Sequence, residues 1–452
     1  RSADDREAEN RRRSGAVKAL ILGADGFIGR QIAFHLRNAG WEVTACARHV
    51  DRLSQMGFAT LKADLLDPAT HQPAFWRAAL AGEVHLINAA GLLDGSEEAF
   101  EAVHLAAPSA ARAALDRGRM VHLSAVGIDA AQTRFARWRL AAELALAGDN
   151  VTLLRAGLVL GETSYGGSSL LRALAAMPFL RAVIGRGDQR FNPIHGEDLA
   201  EVIRACLTSP PTSNGAAVWE IGGPEDVTQA EMLATYRRWL GLRPAPLLRL
   251  PLKLARTLGH IGDALSLGPI SSTAVAQLEA GVHAAPAPLL AQIKAKPRGF
   301  SRFINARPAG TQDLWQARLY LLKPVIRLSL AALWIGSALA GLLTPPAQIY
   351  ALVPALPEGA GHAGGRRGVA GAVPAAGAGP RTGRRLHRRR PGAGAAHDGH
   401  AGRTGHAAGG LAVVAGPGAV HLGLRAGLGR CWRAGAGAGG VHRPPLHRLA
   451  TG

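Results

Sequence analysis

The sequence predicts an α/β fold: a doubly wound parallel sheet with a small helical cap, followed by a truncated transmembrane helical segment and a disordered tail. Three observations predict it. Short runs rich in Val, Ile and Leu alternate with amphipathic helical stretches across residues 15–240, the pattern of helices crossing over a parallel sheet. The first of these runs passes through closely spaced glycines directly into a helix. Beyond residue 318 the composition changes twice, first to a long apolar run and then, from residue 357, to Gly, Ala, Arg, His and Pro.

Ala16-Val17-Lys18-Ala19-Leu20-Ile21-Leu22 reads as a buried strand, continued by Gly23-Ala24-Asp25-Gly26-Phe27-Ile28-Gly29-Arg30 and an amphipathic helix ending near Gly40. In a strand, glycine turn and helix of this kind, Gly23 allows the sharp turn and Gly26 lets backbone approach a pyrophosphate. Gly29 lets the helix pack on the strand, and the helix N-terminus faces the phosphates. The expected ligand is therefore a nicotinamide dinucleotide.

The second strand, Glu42-Val43-Thr44-Ala45-Cys46-Ala47, ends where NAD-specific sites place an acid on the ribose 2′-hydroxyl. Here the chain offers Arg48 and then Arg52. Guanidinium groups pair with a 2′-phosphate, so NADP(H) is expected over NAD(H), the alternative being two solvated surface arginines. Leu61 to Asp67 and Val84 to Gly91 read as two further strand ends at the carboxyl edge of the sheet. Asp64, with Leu65 beside it, is expected to meet the adenine amine, and Asn88, Ala89, Ala90 and Gly91 to border the cofactor.

On these residues the chain resembles the short-chain dehydrogenase/reductase superfamily, in its extended and atypical, NAD-dependent epimerase/dehydratase-like branch. The resemblance continues through Leu154-Arg155-Ala156-Gly157-Leu158-Val159-Leu160-Gly161, Asn192-Pro193-Ile194-His195-Gly196-Glu197-Asp198-Leu199-Ala200 and Trp219-Glu220-Ile221-Gly222-Gly223-Pro224. It is most similar to the group containing the nucleotide-binding accessory subunit of respiratory complex I. The resemblance implies a Ser at the end of the fifth strand and a Tyr-x-x-x-Lys on the next helix, where Tyr moves the proton and Lys holds the ribose. Ser124 is in place, but Phe135 and Arg139 occupy the Tyr and Lys positions.

Phenylalanine has no ionisable proton, and loss of a general acid costs about 10²–10⁴ in rate. Arg139 is expected to bind ribose hydroxyls without a base role. The expectation is a dinucleotide that is structural or regulatory. The alternative is an NADPH-dependent oxidoreductase, acting on a quinone, enone or carbonyl or in epimerase-like fashion, with a non-standard proton donor. Tyr165 is the nearest tyrosine, His122 reads as a core histidine, and His195 heads a helix from which it can approach a substrate. Ser124 is equally readable as a hydrogen-bonding strand-end residue. No metal-ligand spacing is visible, and Cys46, Cys206 and Cys431 lie too far apart for a CxxC pair.

Residues 241–318 are expected to form the cap, with Thr228 to Leu240 as a helix leading into it and Leu248 to Lys253 as part of it. Arg186, Arg190 and Arg249 are there either to meet an anionic head group or as solvated charges. Residues 319–356 resemble the start of a DoxX-like membrane domain, with residues 325–343 as the span. A bilayer needs about 17–25 apolar residues. Lys323 and Arg327 place the front end, and hence the domain before it, on the cytoplasmic side of the inner membrane. Pro345 and Pro346 end the helix, and Gln348 to Leu356 read as the start of another.

The 452 residues carry a net charge of +20, which ordinarily raises nucleic acid as a partner. More than half of it lies beyond residue 357, where Glu358 and Asp398 are the only acids and Trp432 the only aromatic. Such a segment cannot order a core. Its abrupt onset resembles a GC-rich gene read out of frame, the alternative being a basic tail. No nucleic acid is expected, and the sequence names no small-molecule substrate or protein partner.

Overall fold

The computed structural model describes residues 15–212, 218–264, 271–280 and 282–345. Its centre is a seven-stranded sheet. The strands are β1 (Lys18–Leu22), β2 (Glu42–Ala47), β3 (Ala59–Lys62), β4 (Val84–Asn88), β5 (Met120–Ala125), β6 (Val151–Ala156) and β7 (Val218–Ile221). They lie in the order β7-β6-β5-β4-β1-β2-β3, and every neighbouring pair is parallel. Parallel strands need helical crossovers on both faces, which explains their continuous apolar character. All five residues of β4 are buried.

Successive residues of β1 divide the interior. Ala19 and Ile21 join the core on one face with Ile32, Ala33 and Leu36 of α1 (Phe27–Asn38), whereas Leu20 and Leu22 join the other with Trp76, Leu86 and Met120. Further helices of this region include α2 (Asp51–Gln55), α3 (Glu97–Glu101), a π turn (Ala102–Ala106), α4 (Ala107–Ala113) and α5 (Arg134–Leu146). The chain leaves β1 towards β2 on one side and reaches β4 on the other. The sheet's carboxyl edge therefore opens into a crevice between β1 and β4, the topological switch point.

A second layer contains α6 (Gly167–Ala175), α7 (Gly196–Thr208), α8 (Gln229–Trp239), α9 (Leu252–Ala264) and α10 (Ser272–Ala280). Of these, α7 packs on α1 over the sheet. The expected helix over 228–240 is α8, with Thr228 and Glu231 forming a reciprocal capping box at its start. The stretch from Leu248 is not wholly helical. Leu247–Leu250 is a strand paired in parallel with Arg181–Ile184, and only from Leu252 does the chain turn into α9. Pro251, which cannot donate to a ladder, separates the two. Phe191, Tyr236, Phe300 and Phe303 make the core of this region.

The apolar run belongs to one 33-residue helix, α11 (Thr311–Leu343). It begins earlier than the expected span because Asp313 closes its first turn, accepting from the Gly310 amide at 2.8 Å. Pro324 lies inside it and deprives the carbonyl of Tyr320 of its donor. Leu328, Leu333, Trp334, Leu342 and Leu343 are all more than 60% exposed, and none of the most apolar 18-residue window is buried. Among the described residues this is the one helix long and apolar enough to cross a bilayer. It ends at Thr344, before Pro345. The expectations for residues 348–356 and for the tail from 357 lie outside the described residues.

Candidate dinucleotide site

A cavity of about 450 Å³ opens at the switch point. Gly23 has φ +74°, and a Cβ there would lie 2.9 Å from the Cα of Ala90, so only glycine lets the turn sit against β4. The turn is pinned to β2, with the amides of Gly23 and Ala24 donating to the carbonyl of Cys46 at 3.0 and 3.1 Å. Gly29 works behind the cavity: a Cβ on it would come 2.2 Å from the Gly23 carbonyl oxygen, so helix and turn could not pack.

Helix α1 opens into this cavity without a cap. Its N-cap residue is Gly26, no acid occupies the first turn, and the amides of Phe27, Ile28 and Gly29 have no acceptor among the described residues. Unsatisfied amides and the positive end of a 12-residue helix dipole together make an anion site.

Of the residues expected from sequence, Gly23, Asp25, Gly26, Phe27, Ile28, Arg48, Asp64, Leu65, Ala89, Ala90, Gly91 and Arg139 line the cavity. Gly29, Arg52, Asn88 and Ser124 do not. Asn88 is fully buried, its Oδ1 accepting from the Ala90 amide at 3.1 Å and its Nδ2 donating to Nδ1 of His122 at 2.9 Å. It shapes the loop that borders the cavity from behind. Asp64 is exposed and accepts the Leu66 amide at 3.1 Å.

Arg30 lines the cavity and was missed. It follows Gly29 by one residue, so its place in the first helical turn, facing the end of β2, is the signal that was available. Burial, and then the charge of Arg52, push the Arg30 guanidinium below its ordinary value, opposed by Asp25. Arg30, Arg48 and Arg52 thus concentrate positive charge at the end of β2.

At the other end of the cavity, Phe135 is 7% exposed and packs with Phe100, Ile128 and Ala136 instead of facing the opening. Arg139 reaches past it, donating to the carbonyl of Leu123 and resting 5.3 Å from the Phe135 ring centre. Burial lowers the Arg139 guanidinium to about 10, opposed by Glu143. His104 is lowered to about 3 by burial and then by Arg139, and fully buried His122 is pushed down by the same two causes. Both rings are neutral at physiological pH. Tyr165 is 70% exposed at the rim.

No family model matches the chain, and no curated protein matches it. Among solved structures it is similar to a putative epimerase from Burkholderia cenocepacia, at 17% identity over 67% of this chain and 98% of that one, TM-score 0.49. It is similar to UDP-glucuronic acid 4-epimerase from Bacillus cereus, in complex with NAD, at 14% identity over 67% and 100%, TM-score 0.49. A third is the ADP-L-glycero-D-manno-heptose-6-epimerase of Helicobacter pylori, at 16% identity over 65% and 97%, TM-score 0.47. These likenesses are distant.

His195 stands away from the cavity. It is 4% exposed, accepts the Glu197 amide at 3.3 Å as the N-cap of α7, and lies 3.0 Å from Nη2 of Arg298. It caps and braces that helix and does not front the cavity at the switch point. Arg186, Arg190 and Arg249 are exposed and do not line it either.

Proposed function

We propose that residues 15–240 bind a nicotinamide dinucleotide across the switch point, with NADP(H) taken in preference to NAD(H). One observation carries this: the uncapped amides of α1 open into the cavity while Arg30 and Arg48 line the same wall beyond β2. In this arrangement the diphosphate lies on Phe27 and Ile28, the 2′-phosphate between Arg30 and Arg48, and the adenine beside Asp64 and Leu65. The nicotinamide end then faces Ala89, Gly91 and Arg139. The dinucleotide supplies hydride chemistry when bound. With Phe135 turned into an apolar cluster and no ionisable group in its place, the dinucleotide serves a structural or regulatory role.

A reductase working with another proton source is the second reading, supported by Arg139 and Tyr165 on the cavity wall. Single-turnover mixing of NADPH-loaded protein with a quinone, an enone and an aldehyde separates the two. The structural or regulatory role predicts oxidation no faster than the solution background, and a faster rate with any acceptor contradicts it.

The exposed face of α11 supports attachment of this domain to a membrane, with Lys323 and Arg327 at its cytoplasmic entry. Leu333 and Leu339 belong in hydrocarbon in this arrangement. A DoxX-like module would continue from there.

A further inference from the structure

Among the described residues, Phe179 alone combines a positive φ, +66°, with a side chain other than hydrogen. The Leu180 amide donates to the Pro178 carbonyl at 2.8 Å across it, which closes a γ-turn of the rarer, strained hand. The ring is 87% exposed, so no packing within the described chain holds the residue in that conformation. An aromatic side chain kept both strained and in water points to a contact outside the chain.

The turn is set among arginines. Arg237, 7% exposed on α8, donates to the carbonyls of Ala175 and Met177 at 2.9 and 2.8 Å, and its Nε donates to that of Arg243. Arg181, two residues after Phe179, donates to the carbonyls of Ala245 and Ala230. Burial, and then the charges of Arg181 and Arg318, push the Arg237 guanidinium below its ordinary value, so these three cations act on one another. None of them, nor Arg243, pairs with an acid among the described residues. The sequence explains this, because residues 232–262 carry six Lys and Arg and no Asp or Glu. Like charges gathered without a counter-charge repel, and an incoming anion relieves the repulsion.

The same place borders α11. Ala176, which precedes the turn, shares an apolar cluster with Leu240 and with Ala317 of α11. Arg318 follows Ala317 and is exposed, seven residues or about 10 Å before Val325, where the proposed span begins. A headgroup layer is about 5–7 Å deep, and an anionic surface acts over a further Debye length of about 8 Å. With that span in a bilayer, the long side chain of Arg318 reaches the phosphates, and Arg181 and Arg237 lie in their field.

We propose that residues 177–181, with Arg237, Arg243 and Arg318 around them, form a docking surface for anionic phospholipid, Phe179 entering the headgroup layer and the guanidinium groups meeting the phosphates. The surface rests on the reading that α11 enters a membrane, and adds to it a second contact that sets the domain against the bilayer. Ring and charges are presented together, which suits an interface where aromatic rings are favoured and each cation adds about fivefold in affinity. A soluble phosphate would use the charges and leave Phe179 without a role.

Hydrogen exchange on the full chain in bilayer discs tests this, comparing phosphatidylcholine discs with discs holding about one-third phosphatidylglycerol. The amides of residues 177–181 should exchange at least about fivefold more slowly in the anionic discs. Phe179→Gly, which relaxes the turn, and Arg318→Gln, which alters an exposed side chain, should each shrink that difference at least about twofold, with exchange in β1 and β4 unchanged. Equal exchange in the two kinds of disc, or a full difference in both variants, overturns the surface and leaves the attachment reading standing. The same slowing in phosphatidylcholine discs on adding inorganic phosphate assigns the charges to a soluble anion and overturns it too. A chain that does not enter discs overturns the attachment reading instead, and the surface then still requires phosphatidylglycerol vesicles to slow exchange at residues 177–181.

Discussion

At the scale of single residues, the proposed cofactor choice rests on two guanidinium groups. Arg48 continues from β2, where an acid would select NAD(H), and Arg30 reaches the same wall from α1. Hydrogen bonds to charged groups contribute about 1.5–3 kcal/mol each, roughly 10–150-fold in affinity. Arg48→Asp should therefore weaken NADPH by at least tenfold while leaving NADH within a few-fold, read by calorimetry. Comparable losses for both coenzymes would show that Arg48 does not read the 2′-phosphate.

The residues on which this rests were unevenly legible in the sequence. Strand parity explains Asn88 and Ala89: they are neighbours, yet one is fully buried against His122 and the other lines the cavity. Sequence marks the end of β4 but not which residue there turns inward. Arg30 was hidden for a different reason, since a basic residue in a helix reads as solvated until the helix is placed against β2.

At the scale of elements, α1 and α11 depend on their first turns in opposite ways. The first turn of α1 has no side-chain cap and no acid, so in the proposed binding mode Gly26→Asp should place a carboxylate where the diphosphate would lie. NADPH affinity is expected to fall more than 100-fold with the helical circular dichroism preserved. Retained affinity would mean that the phosphates lie elsewhere.

The first turn of α11 is closed by its own chain. Asp313 pairs with Arg307 at 2.8 Å and with buried Arg172 at 3.5 Å, joining α11 to α6. Burial pulls the Asp313 carboxyl upward, but the bonds from Arg307 and the Gly310 amide and the charges of Arg307 and Arg172 outweigh it, so its value in the folded chain is depressed. The stability this contributes is fully present above the ordinary aspartate value of 3.8 and is lost as pH falls through the lower folded value. Asp313→Asn leaves Arg172 buried without a counter-charge, a loss of about 3–5 kcal/mol. Urea denaturation should show that loss at pH 7 and a much smaller one near pH 2. A pH-independent difference would argue that the pair does not anchor the helix. This contact was invisible in the sequence, because its partners lie 141 residues apart.

At the scale of the whole molecule, an α/β domain is joined to a helix whose apolar surface nothing in the described chain covers. The alternation of apolar runs and glycine turns made the sheet legible early, since the period of burial is dictated by strand and helix geometry. The length of α11 was not, because its first turns are polar and their helical character depends on Asp313 and on packing with α6. The full chain should sediment with membranes and resist carbonate extraction. Two mid-helix charges, Leu333→Lys with Leu339→Lys, cost about 5–7 kcal/mol on an insertion scale and should release it. If the unaltered chain is found monodisperse in the supernatant, α11 is covered by protein and not by lipid.

The open amides at the start of α1 carry the proposed binding mode. Titrating the full chain with NADPH and with NADH in a calorimeter measures their use directly. One equivalent of NADPH should bind saturably and more tightly than NADH, and the heat should vanish in Gly26→Asp. A chain that gives no heat with either coenzyme would contradict the functional account and leave only the architecture.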